Sequence, residues 1–309
     1  MDRRRALAGV LIAAAFLTAA SDAADLPIAE ARWLAPGTLI EGLTRQPPEC
    51  LRMPRDPQAR LSVATGRAAF RAPLLLGGQA ARAGLSCAAC HRNGRDNPAF
   101  SFPGLSGAPG TADVTSSLMS SHRGDSAVNP KPIPDLAALG TVSRAKTGGE
   151  LERFIRGLIV EEFDGPEPSE AVLRGLADYA RAMDIKACPP SASRLTLDGL
   201  LVEAGEAADV AGAAAEAGER ETMRLLVAAA RSALGRIDER FQVAGLESVR
   251  DILADADAEL RAVREMPAAD AAPALAAWKQ RWMPRLAALE AMEDRSLFSP
   301  AMLRRRLSR

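Results

Sequence analysis

A chain of 309 residues, 48% of them apolar, can fill a substantial core in one to three domains. Lys plus Arg equals Asp plus Glu at 39 each, so the formal net charge is zero and nothing in the balance argues for a nucleic-acid partner. Histidine is limited to His91 and His122, so any histidine-dependent chemistry falls on one of these two.

The chain opens "MDRRRALAGVLIAAAFLTAASDAADLP". Three arginines, an apolar run from Ala6 to Ala20 and the small residues Ser21-Asp22-Ala23 have the pattern of a secretory signal peptide over 1–23. The competing reading is an uncleaved anchor helix, which the shortness of the run disfavours. The expectation is an exported, periplasmic protein that begins near Ala24 and keeps no membrane span after cleavage. Export favours oxidised thiols, which bears on Cys50, Cys87, Cys90 and Cys188.

Residues 24–60 are rich in Pro, Gly and Arg and show no sustained period. From Arg60, apolar Val63, Ala68, Phe70 and Leu74 predict a helix, interrupted at Pro73 and closed by Gly77-Gly78. The stretch "GLSCAACHRNG" (84–94) follows. Residues 93–147 then form a long loop region full of Gly, Pro, Ser and Asn; such a loop is usually disordered or wrapped around something, and a large buried cofactor would serve. Helices are predicted over 148–163 and 169–185, the second with Val172, Leu176, Tyr179, Ala180 and Met183 on one face. "CPPSAS" (188–193) reads as a linker. Beyond 194 the chain is alanine-rich and charged, without His or Cys. Met223, Leu226, Ala230, Leu234, Ile237 and Phe241 form one helical stripe. Leu246, Val249, Leu253, Ala256, Leu260 and Val263 form a second. Leu275, Trp278, Trp282, Leu286 and Leu289 form a third, with a kink expected at Pro284. The predicted fold class is all-α: a functional segment over 24–190, then an antiparallel bundle of four or five helices over 191–309 that stands as a separate module.

Cys87-x-x-Cys90-His91 has the spacing by which haem c is attached. Each thiol adds to one vinyl group, two intervening residues let one backbone turn reach both, and the next residue brings an imidazole under the iron. Two other chemistries use such cysteines. A structural zinc needs four ligands, and here the remaining donors lie far off in sequence. A thioredoxin-like dithiol needs a βαβ context that the chain lacks. Motif and export together favour one covalent haem c, with His91 as proximal ligand.

The flanking sequence "GRAAFRAPLLLGGQAARAGLSCAACH" resembles the first haem domain of the di-haem cytochrome c peroxidase family. "FPGLSG" (102–107) resembles the Gly-Pro-x-Leu-x-Gly stretch of cytochromes c generally, with Phe102 where glycine is usual, and "LRGLADYARAM" resembles the family's closing helix. The resemblance covers roughly 60–186 and implies a cytochrome c-like fold. It implies that the Pro103 carbonyl accepts the second ring N–H of His91 and that Leu105 packs on the haem. The departure is large: the family's peroxidases carry two attachment motifs, and this chain has one. That leaves the haem fold supported and the peroxidase activity weakened.

For the distal position, Met119 is the first candidate and His122 the alternative, both within "SSLMSSHRGD". In cytochromes c the two ends of the haem domain pack together, so Cys50 and Cys188 are expected to form a disulfide, with two free thiols as the alternative. The functional expectation is an exported single-electron carrier that meets a redox partner protein. The rivals are a peroxide-reducing haem enzyme with an open distal site and a haem-based redox or gas sensor.

Overall fold

The computed structural model describes residues 26–122, 127–145 and 148–308, so the predicted signal segment 1–23 lies outside it. The described chain is all-α, with its strands no longer than two residues. Among the described residues no helix is long and apolar enough to cross a membrane.

The N-terminal arm contains helix α1 (Leu39–Thr44). Helix α2 (Pro57–Phe70) starts three residues before the predicted Arg60, because the Asp56 carboxylate accepts from the Ala59 N–H at 2.7 Å and Pro57 presets the first helical turn. Two short helices follow, α3 (Gly78–Arg82) and α4 (Cys87–Cys90). The described residues of the long loop then carry a small antiparallel pair, Thr111–Ala112 with Lys131–Pro132, and several turns. Asp113 organises it: its buried carboxylate accepts from the Thr115 and Asn129 backbone N–H groups and from the Thr115 hydroxyl.

Helix α5 (Glu150–Gly157) runs into a π-helical turn, Leu158–Glu162. Helix α6 (Glu170–Ala182) is capped by the Ser169 hydroxyl, which accepts from the Val172 N–H. Helices α2 and α6 cross at two glycines. A Cβ on Gly66 would lie 1.9 Å from the Gly175 carbonyl oxygen, so only glycine permits this approach. The contact brings Val63, Ala69 and Phe70 against Val172, Leu176 and Tyr179 in one buried cluster.

The C-terminal part is a bundle of α7 (Leu197–Glu216), α8 (Arg220–Arg240), α9 (Glu247–Glu265) and α10 (Ala268–Ala287). Each helix packs on the next, and α10 returns to α7. All three predicted apolar stripes are buried. Pro273 and Pro284 both sit inside α10, which stays helical to Ala287, three residues past the expected kink at Pro284. A final helix, α11 (Pro300–Leu307), leaves the bundle and meets the N-terminal arm.

The composition changes near 194, and the bundle shares its core with the segment before it. One hydrophobic core runs from Phe70, Leu105, Met119 and Tyr179 into Leu200, Leu226, Ile237 and Trp278. Helix α2 packs on α7 and α8. Arg45–Gln46 pairs with Ser193–Arg194, and Leu26, Ile28, Leu39 and Leu43 of the arm pack with Leu297 and Leu303. The fully buried Arg240 of α8 donates to the Leu43 carbonyl and pairs with Glu30, fastening the arm from beneath. The periodicity that marks bundle helices says nothing about which face of α2 they cover, so this joint has no signature in sequence.

Candidate functional site

The two motif cysteines and His91 occupy one turn. Helix α4 is a single four-residue turn, and the His91 N–H closes it on the Cys87 carbonyl at 2.8 Å. Gly84, with φ of 75°, turns the chain into this helix, and the buried Asn97 amide holds its far side by donating to the Ala89 carbonyl at 2.8 Å. Cys87 and Cys90 are free thiols. Each keeps partial exposure, yet desolvation by the surrounding atoms pushes both up to about 12. A catalytic dithiol is served by the opposite shift. Among the described residues no three His, Cys, Asp or Glu side chains group as metal ligands, which leaves a closed zinc site without its donor set.

His91 Nδ1 lies 3.0 Å from the carbonyl oxygen of Pro134. A carbonyl can only accept, so Nδ1 carries the proton and donates. Desolvation lowers the imidazolium to about 4, against smaller opposing effects from that hydrogen bond and from Asp135 and Asp96. The ring is therefore neutral at neutral pH, with the Nε2 lone pair free for a metal. This is the tautomer a histidine ligand needs.

The acceptor is thus Pro134, and the assignment to Pro103 is corrected. The Leu105 and Ser106 N–H groups both bond to the Phe102 carbonyl, a tight turn that leaves Pro103 exposed at its corner. Residues 134–136 instead lie against the motif: Leu136 N–H donates to the Gly94 carbonyl at 3.1 Å, and Arg95 pairs with Asp135 at 2.7 Å. A signal for this was present, since "IPDL" (133–136) repeats the apolar-Pro-x-Leu pattern of "FPGL" (102–105). Leu105 is buried in the same core as Phe100 and Met119.

The two distal candidates separate cleanly. Met119 is fully buried, with its N–H bonded to the Ser116 carbonyl. His122 is exposed, and its Nε2 lies 3.8 Å from Asp164 at the surface. The Asp164 carboxylate also takes the Ser121 N–H and hydroxyl, which turns this end of the loop outward. His122 is accordingly set aside as a ligand from the core. The expected disulfide is present: Cys50 and Cys188 are bonded across 138 residues. It is flanked by Asp184 N–H donating to the Cys50 carbonyl and Arg52 N–H to the Ala182 carbonyl, so the arm is laced to the end of α6.

Behind the motif stands a group that the sequence did not indicate. The rings of Phe70 and His91 are 6.3 Å apart, and those of Phe70 and Tyr179 are 5.2 Å apart. The Tyr179 hydroxyl donates to Glu49 at 2.8 Å, and Glu49 pairs with Arg67 and Arg71. Arg71 continues to Glu203 of the bundle and to the amide of Asn93. Glu49 lies in the aperiodic arm, where nothing in the local pattern marks it as buried.

The residues present fit a covalent haem: two free thiols on one turn, an imidazole with its second nitrogen already bonded, and a buried thioether in the adjoining core. No family model matches the chain, and no curated protein and no solved structure matches it.

Proposed function

We propose that this chain is an exported c-type cytochrome that holds one haem covalently and passes single electrons. Cys87 and Cys90 would carry the two thioethers, His91 Nε2 would be the proximal ligand and Met119 the distal one. When bound, the haem supplies a one-electron iron couple; everything else is the work of the chain. The observation that carries the reading is the His91 ring, set on the same turn as two free thiols and held by the Pro134 carbonyl with Nε2 left unprotonated.

Pro134 fixes the tautomer and makes the imidazole a stronger donor. Phe70 and Leu105 keep water from the core beside the motif. A buried thioether favours an electron carrier over a peroxide-reducing enzyme, which needs an open distal position. The Cys50–Cys188 disulfide supports an oxidising compartment such as the periplasm, and the partner is taken to be a redox protein.

The test is a visible spectrum followed by acid extraction under denaturing conditions. Haem should stay with wild-type protein and be released from the Cys87→Ser/Cys90→Ser double variant. Free extraction from wild type, or no haem at all, refutes the proposal.

A further inference from the structure

His91 is followed by two residues in the left-handed region, Asn93 with φ of 51° and Gly94 with φ of 72°. Glycine accepts that conformation without cost, whereas asparagine needs its side chain held. Two bonds hold it: Asn93 Nδ2 donates to the Pro47 carbonyl at 2.9 Å, and Arg71 Nη2 donates to Asn93 Oδ1 at 3.1 Å. The left-handed turn sets where the Gly94 carbonyl points. That carbonyl receives the Leu136 N–H, and the same strand of loop presents the Pro134 carbonyl to His91 Nδ1. Gly94 also packs closely on Met183, where a Cβ would lie 2.5 Å from Sδ. The hold on Asn93 is therefore passed, through one turn and one loop contact, to the imidazole.

Arg71 is itself held from two sides, by Glu49 at 3.1 Å and by Glu203 at 3.5 Å. Glu203 belongs to α7, and its other partner is Arg236 of α8 at 2.8 Å. Side chains of Arg71, Glu49 and Glu203 are all nearly buried, so this is a fixed ionic joint.

We propose that Glu203, carried by the bundle, is a positioning residue for His91 that acts through Arg71 and Asn93. The inference rests on the haem reading of the motif. It gives the histidine-free bundle a role in the haem's properties. A looser hold on the Pro134 carbonyl makes His91 a weaker donor, so the ferric state is less favoured and the midpoint potential rises.

The test uses full-length protein with its haem, titrated spectroelectrochemically as wild type, E203Q, N93G, the double variant and E206Q. Glu206 lies on the same helix but pairs with Arg67 and not Arg71, so E206Q removes a negative charge from that helix without removing a partner of Arg71. N93G keeps the left-handed turn and every ion pair while removing both side-chain bonds. The expected result is a higher potential in E203Q and in N93G, no further rise in the double variant, and no shift in E206Q. Additivity of the two changes, equal shifts in E203Q and E206Q, or an unmoved potential in either E203Q or N93G overturns the proposal. Should E203Q not fold, E203D takes its place, keeping the charge while withdrawing it from Arg71, and a potential equal to wild type refutes the role. Wild-type protein without haem would instead refute the reading of the motif, and no variant would then titrate.

Discussion

Glu49→Gln removes the charge at the centre of the ionic joint and little else. The amide keeps the size of the side chain and an acceptor for the Tyr179 hydroxyl. Burial alone would raise the Glu49 carboxyl, but Arg71 and then Arg67 overcome it and hold the group at about 2, against the usual 4.5. At about 1.4 kcal/mol per pH unit, that difference is on the order of 3 kcal/mol of stability. Little of it is screened, since the side chain is 13% exposed. The sign follows from which state binds protons. The unfolded carboxyl takes its proton near 4.5 and the folded one only near 2, so the contribution is complete above 4.5 and drains away as pH falls towards about 2. At about pH 7 the variant should be less stable by roughly 3 kcal/mol, because Arg67 and Arg71 stay buried with Glu206 and Glu203 as their remaining partners. Urea unfolding at about pH 7, 5 and 3 measures this. Other depressed carboxyls, Glu30 among them, weaken both proteins in acid, so the difference between the two curves is the quantity to plot. It should shrink steadily below about pH 4.5. A difference that stays constant across the range refutes the ion-pair account of Glu49.

Met119→Ala should abolish the weak far-red band of a methionine–ferric iron bond and leave a site that binds carbon monoxide faster; a wild-type spectrum without that band removes Met119 as ligand. Gly66→Ala should cost at least about 3 kcal/mol in urea unfolding, since its Cβ has no space beside the Gly175 carbonyl; wild-type stability would mean that α2 and α6 do not cross there. Cys50→Ser/Cys188→Ser should lower stability by up to about 4–5 kcal/mol for so long a closed loop, and alkylation of the unreduced, unfolded wild type should leave both cysteines unlabelled. A fragment of residues 24–190 should show no cooperative unfolding transition, because α2 loses its cover and the arm loses Leu297 and Leu303; a cooperative transition would show that the segment folds alone.

Much of the fold was legible because periodicity reports local burial. The stripes of α8, α9 and α10 are each one-sided, and all are buried. Helix α7 was harder to read, because alanine lies on nearly all its faces and leaves no stripe to stand out. The joint between the two halves was not legible at all. It is made by an aperiodic arm, by glycines whose role is to be absent, and by charged residues such as Arg240 that composition assigns to the surface. A buried arginine is paid for by partners distant in sequence, here Glu30 and the Leu43 carbonyl, and single-chain patterns carry no record of such pairs.

The candidate site divides in the same way. That Cys87, Cys90 and His91 share one turn could be read directly, because their neighbourhood is a matter of adjacency and adjacency is a property of sequence. The His91 acceptor needs only a carbonyl at the right point in space, which any residue can supply. Two apolar-Pro-x-Leu stretches were available, and the resemblance to cytochromes c favours the nearer one. What selects Pro134 is the company of its loop: Asp135 paired with Arg95, Leu136 bonded to Gly94 and the long connection folded back on the motif. Met119 and His122, three residues apart, differ for a related reason. The turn around Ser120 and Ser121 is anchored on Glu161 and Asp164, which leaves the thioether in the core and the imidazole in water. The choice of distal candidate is therefore made by the π-helical segment and the turn after it, some 40 residues further along the chain.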